Sequence, residues 1–314
     1  MMKAVYFNEY GDREQMIFGD LPVPEPGPGE VLIRVAAASV NPVDWKVREG
    51  RLKMFSGRKF PLIPGSELSG TVVSAGSKVK DFKQGDRVFA GLSHKGGAYA
   101  EYVAANPSKI ITIPDELPFI EGSTLAVAGM TAMQAFTMHY RVKPGDEVLV
   151  NGASGGVGTY AVQIAKILGA RVTAVCSEKN TALVQDLGAD EVIDYNREDF
   201  RKRKESFDVI LDAAANAFFP ESRHCLKKGG MLIKLNLSVN LIIKAIFLRL
   251  FSSHQLKVIL VKNRKKDLRW LITHIVSGQI RVVVDRVYPL SDAREAHAYS
   301  ESGRARGKLV LEIS

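Results

Sequence analysis

Two cysteines in 314 residues, two tryptophans and no apolar run of transmembrane length set the first limits on this chain. Two cysteines cannot build a disulfide framework or a Cys-rich structural zinc lobe. Cys176 and Cys225 read as packing residues rather than a redox pair. There is no internal repeat. The N-terminal run Met1-Met2-Lys3-Ala4-Val5-Tyr6-Phe7 lacks the long apolar core and small-residue cleavage site of a signal peptide and reads as a strand. A cytoplasmic protein, or one of an organellar matrix, fits these absences. The formal charge of +9 is concentrated in Arg201-Lys202-Arg203-Lys204 and Lys262-Asn263-Arg264-Lys265-Lys266. No aromatic residues interleave with those charges as a single-strand binder requires, so they read as solvated surface and no nucleic-acid partner is expected.

What is present is enough for two cored domains, with 46% hydrophobic residues. The most informative stretch is Val148-Leu149-Val150-Asn151-Gly152-Ala153-Ser154-Gly155-Gly156-Val157-Gly158. It reads as a buried strand, a glycine-rich turn and a helix start. Such a turn brings backbone N–H groups close to a pyrophosphate and aims a helix N-terminus at it. The strict G-x-G-x-x-G spacing is not met, because Ala153 stands at the first glycine. The flanks support dinucleotide binding all the same. The helical repeat Val157, Ala161, Ile164, Ala165, Leu168 follows, then Gly169 as a stop and a second strand from Arg171 to Cys176. A plain βα turn of another doubly wound fold is the alternative.

An NAD site usually carries an acid at the end of the second strand, about twenty residues past the turn, to hold the ribose 2′-OH. Here Cys176 stands in that place, and Ser177 and Lys179 supply a hydroxyl and a cation suited to a 2′-phosphate. Glu178 complicates the reading, but falls one residue past the strand and can point outward. NADPH is favoured over NADH.

Along the chain the pattern changes once. The first third predicts short strands at Val31 to Ala37, Leu68 to Ala75, Arg87 to Ala90 and Ala98 to Val103, separated by turn residues. From about Gly122, helices alternate with strands at Glu147–Asn151, Arg171–Cys176, Glu191–Asp194, Phe207–Asp212 and Gly230–Leu235, the signature of a parallel sheet covered on both faces. Strands at Val282–Val287 and Lys308–Ile313 and a helix over Ala293–Tyr299 point to a return to the first domain. The expected fold is α/β, a Rossmann-type doubly wound sheet over 123–284 plus a mostly β substrate domain over 1–122 and 285–314. The apolar stretch 241–251 reads as a dimer-interface helix or a lid over the substrate cleft, with peripheral membrane contact as the alternative.

Together these segments resemble the medium-chain dehydrogenase/reductase superfamily, and within it the zinc-free, zeta-crystallin-like quinone oxidoreductase branch. The resemblance covers essentially the whole chain. It rests on Pro26-Gly27-Pro28-Gly29-Glu30-Val31-Leu32-Ile33, on Asn41-Pro42-Val43-Asp44-Trp45-Lys46-Val47-Arg48-Glu49-Gly50 and on Ile63-Pro64-Gly65-Ser66-Glu67-Leu68-Ser69-Gly70. Gly85-Asp86-Arg87-Val88, the glycine turn and Arg306-Gly307-Lys308-Leu309-Val310 complete it. It implies a GroES-like substrate domain and a homodimer. In the zinc enzymes that look like this, a cysteine, a histidine and a further cysteine or acid hold the metal. Asn41 and Ser66 stand at the first two of those positions, and Ala126-Val127-Ala128-Gly129 supplies no third ligand. Glu67 reads as a buried, paired acid, and no metal is expected.

Without zinc, alcohol oxidation loses its Lewis acid. Reduction of a quinone or an α,β-unsaturated carbonyl has less need of one, because conjugation spreads the incoming charge. The resemblance implies that Asn41 donates its side-chain amide to the substrate oxygen or nicotinamide ribose, with a turn residue before Pro42 as the plainer reading. Asp44 and Arg48, four apart on a helical turn, are expected to pair and hold the floor of the site. Thr131 resembles a nicotinamide-facing threonine, and Trp45 is either a pocket wall or a core residue. Ser154, Gly155, Gly156 and Val157 are assigned to the pyrophosphate, and Ser177, Lys179 and Tyr195 to the 2′-phosphate. Leu235 and Asn236 are assigned to the carboxamide, and Lys308 to a position near the cleft. The expected substrate is a small hydrophobic carbonyl or quinone. The alternatives are an enoyl-thioester reductase and a non-enzymatic NADPH-binding regulatory or RNA-associated protein. No residue stands out as the proton donor.

Overall fold

The computed structural model describes residues 1–56, 59–92, 96–217, 219–235 and 254–313. The chain divides into two compact units, one of Met1–Val127, Asn263–Val276 and Val284–Ser314, the other of Ala128–Lys262 and Ser277–Val283. The helix Lys265–Val276, expected with the cofactor-binding unit, belongs to the first unit. Its first residue is tied there, with Lys265 Nζ donating to Pro107 O at 3.0 Å.

The first unit is built on a seven-stranded sheet in the order β14 (Val284–Pro289), β15 (Lys308–Glu312), β3 (Val31–Val40), β4 (Glu67–Ala75), β5 (Arg87–Gly91), β7 (Ile110–Thr112). The seventh strand, β6 (Tyr102–Ala105), also pairs with β3. A separate antiparallel pair, β1 (Met2–Tyr6) and β2 (Ile17–Leu21), sits at the start of the chain. The apolar residues of β3 to β5 close on a core that includes Ile33, Val35, Leu68, Val72, Val88 and Leu309. Strand β3 shares one edge between two partners. Val31 to Arg34 pair with β6, and Ala37 to Val40 pair with β15. A register shift between Val35 and Ala37 marks a bulge where β3 changes neighbours along its length.

That arrangement decides what meets at the end of β3. The Leu309–Val40 register puts Lys308 beside Asn41, and the Ala38–Leu68 register puts Glu67 beside Ser39. Gly70 lets the two strands approach, since a Cβ there would lie 2.1 Å from Arg34 O. The strand expected at Ala98 to Val103 is displaced to Tyr102–Ala105. Gly96 and Gly97, at φ +73° and +114°, turn the chain, and Ala100 makes only an isolated bridge to Ala4.

The second unit is a parallel sheet in the order β10 (Glu191–Asp194), β9 (Arg171–Cys176), β8 (Glu147–Asn151), β11 (Phe207–Asp212), β12 (Leu226–Lys234), β13 (Gln255–Val258). Numbered from β8, this is 3-2-1-4-5-6, the doubly wound dinucleotide-binding order. The strand order reverses between β8 and β11, which opens a crevice at their carboxyl ends. Strand β12 begins earlier than expected, and β13 was not anticipated. The apolar stretch 241–251 lies outside the described residues. Among the described residues, no helix is long and apolar enough to cross a membrane.

Candidate active site

The first unit buries a cluster of polar side chains around the end of β3. Asn41 is 2% exposed, Glu67 0% and Lys308 3%. Lys308 Nζ donates to Asn41 Oδ1 at 2.5 Å and to Glu67 Oε1 at 3.3 Å. Asn41 Nδ2 donates to Ser39 Oγ at 2.9 Å, Ser39 O at 3.4 Å and Glu67 Oε1 at 3.1 Å. The Ser39 hydroxyl donates to Glu67 Oε1. Glu67 Oε2 accepts the N–H groups of Ala126 and Val127 at 2.7 and 2.9 Å. One carboxylate thus ties together β3, β15 and the segment Ala126-Val127. The two hydrogens of the Asn41 amide face acceptors within the chain, and neither is left for a substrate.

Asp44 carries the network onward. It sits at the third residue of the helix Pro42–Arg48, which Pro42 starts with its fixed φ. Its Oδ2 accepts the Asn41 N–H at 2.8 Å, half of a capping box. Ser66 donates to Asp44 Oδ1 at 2.5 Å and the Tyr99 hydroxyl to Oδ2 at 3.3 Å. Tyr99 OH in turn lies 3.3 Å from His297 Nε2, and His297 Nδ1 lies 3.1 Å from Arg48 Nη1. Arg48 has only hydrogens to give, so Nδ1 accepts and Nε2 carries the proton. Arg48 Nη1 also meets Glu301 Oε1 at 2.9 Å. The direct Asp44–Arg48 pair expected from their spacing is therefore replaced by a relay through Tyr99 and His297. The two side chains leave the helix toward different neighbours.

Burial and charge set the protonation of this chain of groups. Desolvation, with the Glu67 charge adding to it, raises Asp44 to about 6 despite its hydrogen bonds and Lys308. Desolvation, then Arg48, lowers His297 to about 3, so the imidazole stays neutral. Tyr99 is pushed well above its usual value by burial and by Asp44. Trp45 is half-buried under Lys46 and Arg51, and its Nε1 meets no acceptor among the described residues.

The second unit carries the glycine turn at the carboxyl end of β8. Gly152 has φ +81° and abuts Ala214, where a Cβ would come within 2.8 Å of the Ala214 amide nitrogen. At Gly158 a Cβ would lie 2.2 Å from Gly152 O, so only glycine lets the helix Gly156–Ile167 start this close to the turn. Around Gly155 the space is open, with only Gly152 O at 3.4 Å. The N–H groups of Gly156, Val157 and Gly158 precede the first i to i−4 bond of the helix, and among the described residues no side chain caps them. A turn of this form is a ready cradle for a pyrophosphate.

Asn180, which sequence reasoning missed, links this turn to the end of β9. Its Nδ2 donates to Ser154 Oγ at 2.9 Å and to Ser177 Oγ at 3.2 Å. Its Oδ1 is buried and meets no donor among the described residues. The two serines assigned from sequence to different parts of a cofactor are thus brought together. Lys179 and Tyr195 are both exposed beside them in sequence, Tyr195 at 61%. Glu178 does point outward, where Arg197 Nη2 binds its Oε1 at 2.6 Å. Cys176 is buried, and desolvation raises its thiol to about 11, as it does for Cys225. Both behave as packing residues.

The remaining positions are distributed as follows. Thr131 is buried at the start of the turn Thr131–Gln134, inside a helical run that is π-type on either side. Leu235 is half-buried just past β12, and Asn236 lies outside the described residues. Next to Leu235 a second network missed from sequence lies at the strand ends. Lys234 Nζ meets Asp212 Oδ2 at 2.8 Å, and Asn151 Nδ2 donates to Asp212 Oδ1 at 2.8 Å. The basic run is partly consumed in ion pairs. Arg201 holds Asp199 and Glu221, and Arg203 holds Glu191 and Glu198.

Residues 27–115 match the family description "Alcohol dehydrogenase GroES-like domain" and residues 187–311 match "Zinc-binding dehydrogenase". The chloroplast envelope quinone oxidoreductase homolog of Arabidopsis thaliana is 37% identical over 327 residues, 99% of this chain and 98% of that protein. The chain belongs to the quinone oxidoreductase branch of the medium-chain dehydrogenase/reductase superfamily. The chloroplastic NADPH-dependent alkenal/one oxidoreductase of Arabidopsis thaliana is 32% identical, over 99% of this chain and 79% of its own. The Escherichia coli quinone oxidoreductase solved with NADPH superposes with a TM-score of 0.88 at 26% identity, covering 99% of both chains. A nicotinamide cofactor goes with this branch, and the open turn at Gly155 and the uncapped N–H groups after it fit one.

Zinc does not fit this quinone oxidoreductase. The donors at the end of β3 are an amide, a hydroxyl and a carboxylate, with none of the thiolate or imidazole ligands that zinc sites use. The oxygens of Asn41 and Glu67 already receive the Lys308 ammonium. Among the described residues, no group of three or more His, Cys, Asp or Glu side chains is placed to hold a metal ion.

Proposed function

We propose that this protein is an NADPH-dependent oxidoreductase that transfers hydride to a quinone or an α,β-unsaturated carbonyl without zinc. The observation that carries the reading is the Asn41–Glu67–Lys308 cluster, a hydrogen-bonding site built where zinc relatives keep their metal. A hydrogen-bond donor suits an acceptor whose negative charge is already delocalised by conjugation. The cofactor supplies the hydride when bound. The turn Ser154 to Val157 holds its pyrophosphate through backbone N–H groups, and Ser177, Lys179 and Tyr195 take the 2′-phosphate, with Arg197 nearby in sequence. Leu235 and Thr131 bound the nicotinamide. A homodimer in the cytoplasm is part of the same reading, tested by light scattering and by cell fractionation.

The experiment is loss of dihydronicotinamide absorbance in chelator-treated buffer, with a quinone and an alkenone as parallel acceptors. Turnover that survives chelation supports the proposal. Turnover of an enoyl thioester alone, or dependence on added zinc, overturns it. Gly156→Asp places a carboxylate where the pyrophosphate binds. The helix start tolerates an acid, so the expected result is at least a tenfold rise in KM for NADPH (about 1.4 kcal/mol) with an unchanged Tm.

A further inference from the structure

We propose that the Lys308 ammonium takes the place of the metal as the electrophile of this enzyme, donating a hydrogen bond to the carbonyl oxygen of the acceptor. The inference deepens the proposed function and rests on it. It follows from counting hydrogens in the buried cluster. Both hydrogens of the Asn41 amide face Ser39 and Glu67. The Ser39 hydroxyl is given to Glu67, and those of Ser66 and Tyr99 to Asp44. The Asn41 backbone N–H also goes to Asp44. An ammonium carries three hydrogens. Among the described residues Lys308 gives two of them, to Asn41 Oδ1 and Glu67 Oε1. Its third N–H is the donor left over in the cluster.

The surroundings hold that donor in place. Lys308 is the first residue of β15, fixed by the Leu309–Val40 register, and Glu67 opposes it with a carboxylate that four other contacts hold in place. A cation held by strands and already desolvated needs little reorganisation as charge develops on a nearby oxygen. The balance of the step is simple. A C–H bond forms at the acceptor carbon with the hydride lost from the dihydronicotinamide, whose C–H bond would break and which would be left oxidised. The conjugated π pair moves to the carbonyl oxygen, and Lys308 stabilises that oxygen while keeping its own protons. The product then takes its proton from water.

The test compares the double variant Lys308→Met/Glu67→Gln with Glu67→Gln alone, because removing both charges leaves no buried ion unpaired. The acceptors are a series of para-substituted aryl vinyl ketones. The double variant is expected to lose about 10²–10³-fold in kcat with the Kd for NADPH unchanged. Its rate should depend more steeply on the electron demand of the substituent, because the oxygen charge is no longer met by the protein. A lesion of structure alone lowers all members of the series equally. A second readout needs no turnover: 4-nitrophenolate, an oxyanion probe, should bind Glu67→Gln with a shift of its visible absorption and should fail to bind the double variant. A double variant with the same slope and the same phenolate binding as Glu67→Gln overturns the role of Lys308. A wild-type chain that reduces neither quinone nor enone overturns the proposed function instead, and phenolate binding then decides on Lys308 alone.

Discussion

In the second unit the candidate pyrophosphate cradle lies in one run of seven, Gly152 to Gly158, and acts through its backbone. In the first unit the candidate site is made of polar side chains brought together from as far apart as Asn41 and Lys308, 267 positions in sequence. The glycine turn is local, open and uncapped. The polar cluster is buried, fully coupled and assembled by strand pairing. The difference teaches where each kind of site is vulnerable. A backbone cradle fails when a side chain intrudes. A buried ionic cluster fails when one partner is taken away and the others are left without it.

Cutting the cluster at its centre should have the largest effect. Glu67→Ala leaves Lys308 buried without its counter-charge and strands the N–H groups of Ala126 and Val127. It should cost about 3–5 kcal/mol, read by denaturant unfolding. Double removal with Lys308→Met should recover part of that loss, which separates charge pairing from packing.

The pH response of the same unit sharpens the comparison. Asp44, raised to about 6 from 3.8, binds its proton more readily folded than unfolded. Its contribution therefore makes the fold less stable as pH rises through that window, by about 3 kcal/mol at 1.4 kcal/mol per unit. His297, lowered from 6.5 to about 3, has the opposite sign, so its contribution is lost as pH falls from 6.5 toward 3. Between pH 3.8 and 6 the two slopes are equal and opposite, so wild-type stability should change little there and fall with acid only from 6.5 to about 6 and again from 3.8 toward 3. Asp44→Asn should expose the His297 slope, a fall with acid from 6.5 toward 3. His297→Gln, which keeps a donor for Tyr99 and an acceptor for Arg48, should leave the Asp44 slope, a fold that gains stability as pH falls from about 6 to 3.8. Unfolding midpoints across the pH range check both signs, and variants that both keep the wild-type profile would defeat the assignment.

The glycine turn should break by steric intrusion. Gly158→Ala forces a Cβ to within 2.2 Å of Gly152 O and should cost about 1–3 kcal/mol, with loss of cofactor binding by fluorescence titration. The smallest effect is expected at the exposed edge. Lys179→Ala removes one solvated cation and should lower the ratio of NADPH to NADH kcat/KM several-fold, with Tm unchanged. An unaltered ratio would remove Lys179 from the 2′-phosphate site.

Much of the second unit was readable directly. The strands at Glu147–Asn151, Arg171–Cys176, Glu191–Asp194 and Phe207–Asp212 were expected with these bounds, because each is a short apolar run between clear turn residues. Asn180 was not, since an asparagine in a loop carries no sign of which hydroxyls it will reach. In the first unit the order of motifs pointed to the family, and the missing zinc ligands could be read position by position. The use of each side chain could not. Asn41 resembled a substrate donor until both its amide hydrogens were found facing Ser39 and Glu67. Asp44 and Arg48 looked like a helical pair until Tyr99 and His297 were found between them. A lone tyrosine and a lone histidine, 198 positions apart, have no periodicity that announces a contact.

By itself the sequence determined the two kinds of element, the parallel order implied by strand and helix alternation, and the place of the pyrophosphate turn. Hydrophobic period and glycine conformation act over a few residues and leave their mark in the local string. The tertiary structure alone decided that Lys308 lies against Asn41, that one carboxylate gathers Ser39, Asn41, Ala126, Val127 and Lys308, and that Asp44 reaches Arg48 only through two neutral rings. The first two of those outcomes depend on the register of β3 with β4 and β15. A shift of one residue would turn Glu67 or Lys308 to the other face of the sheet.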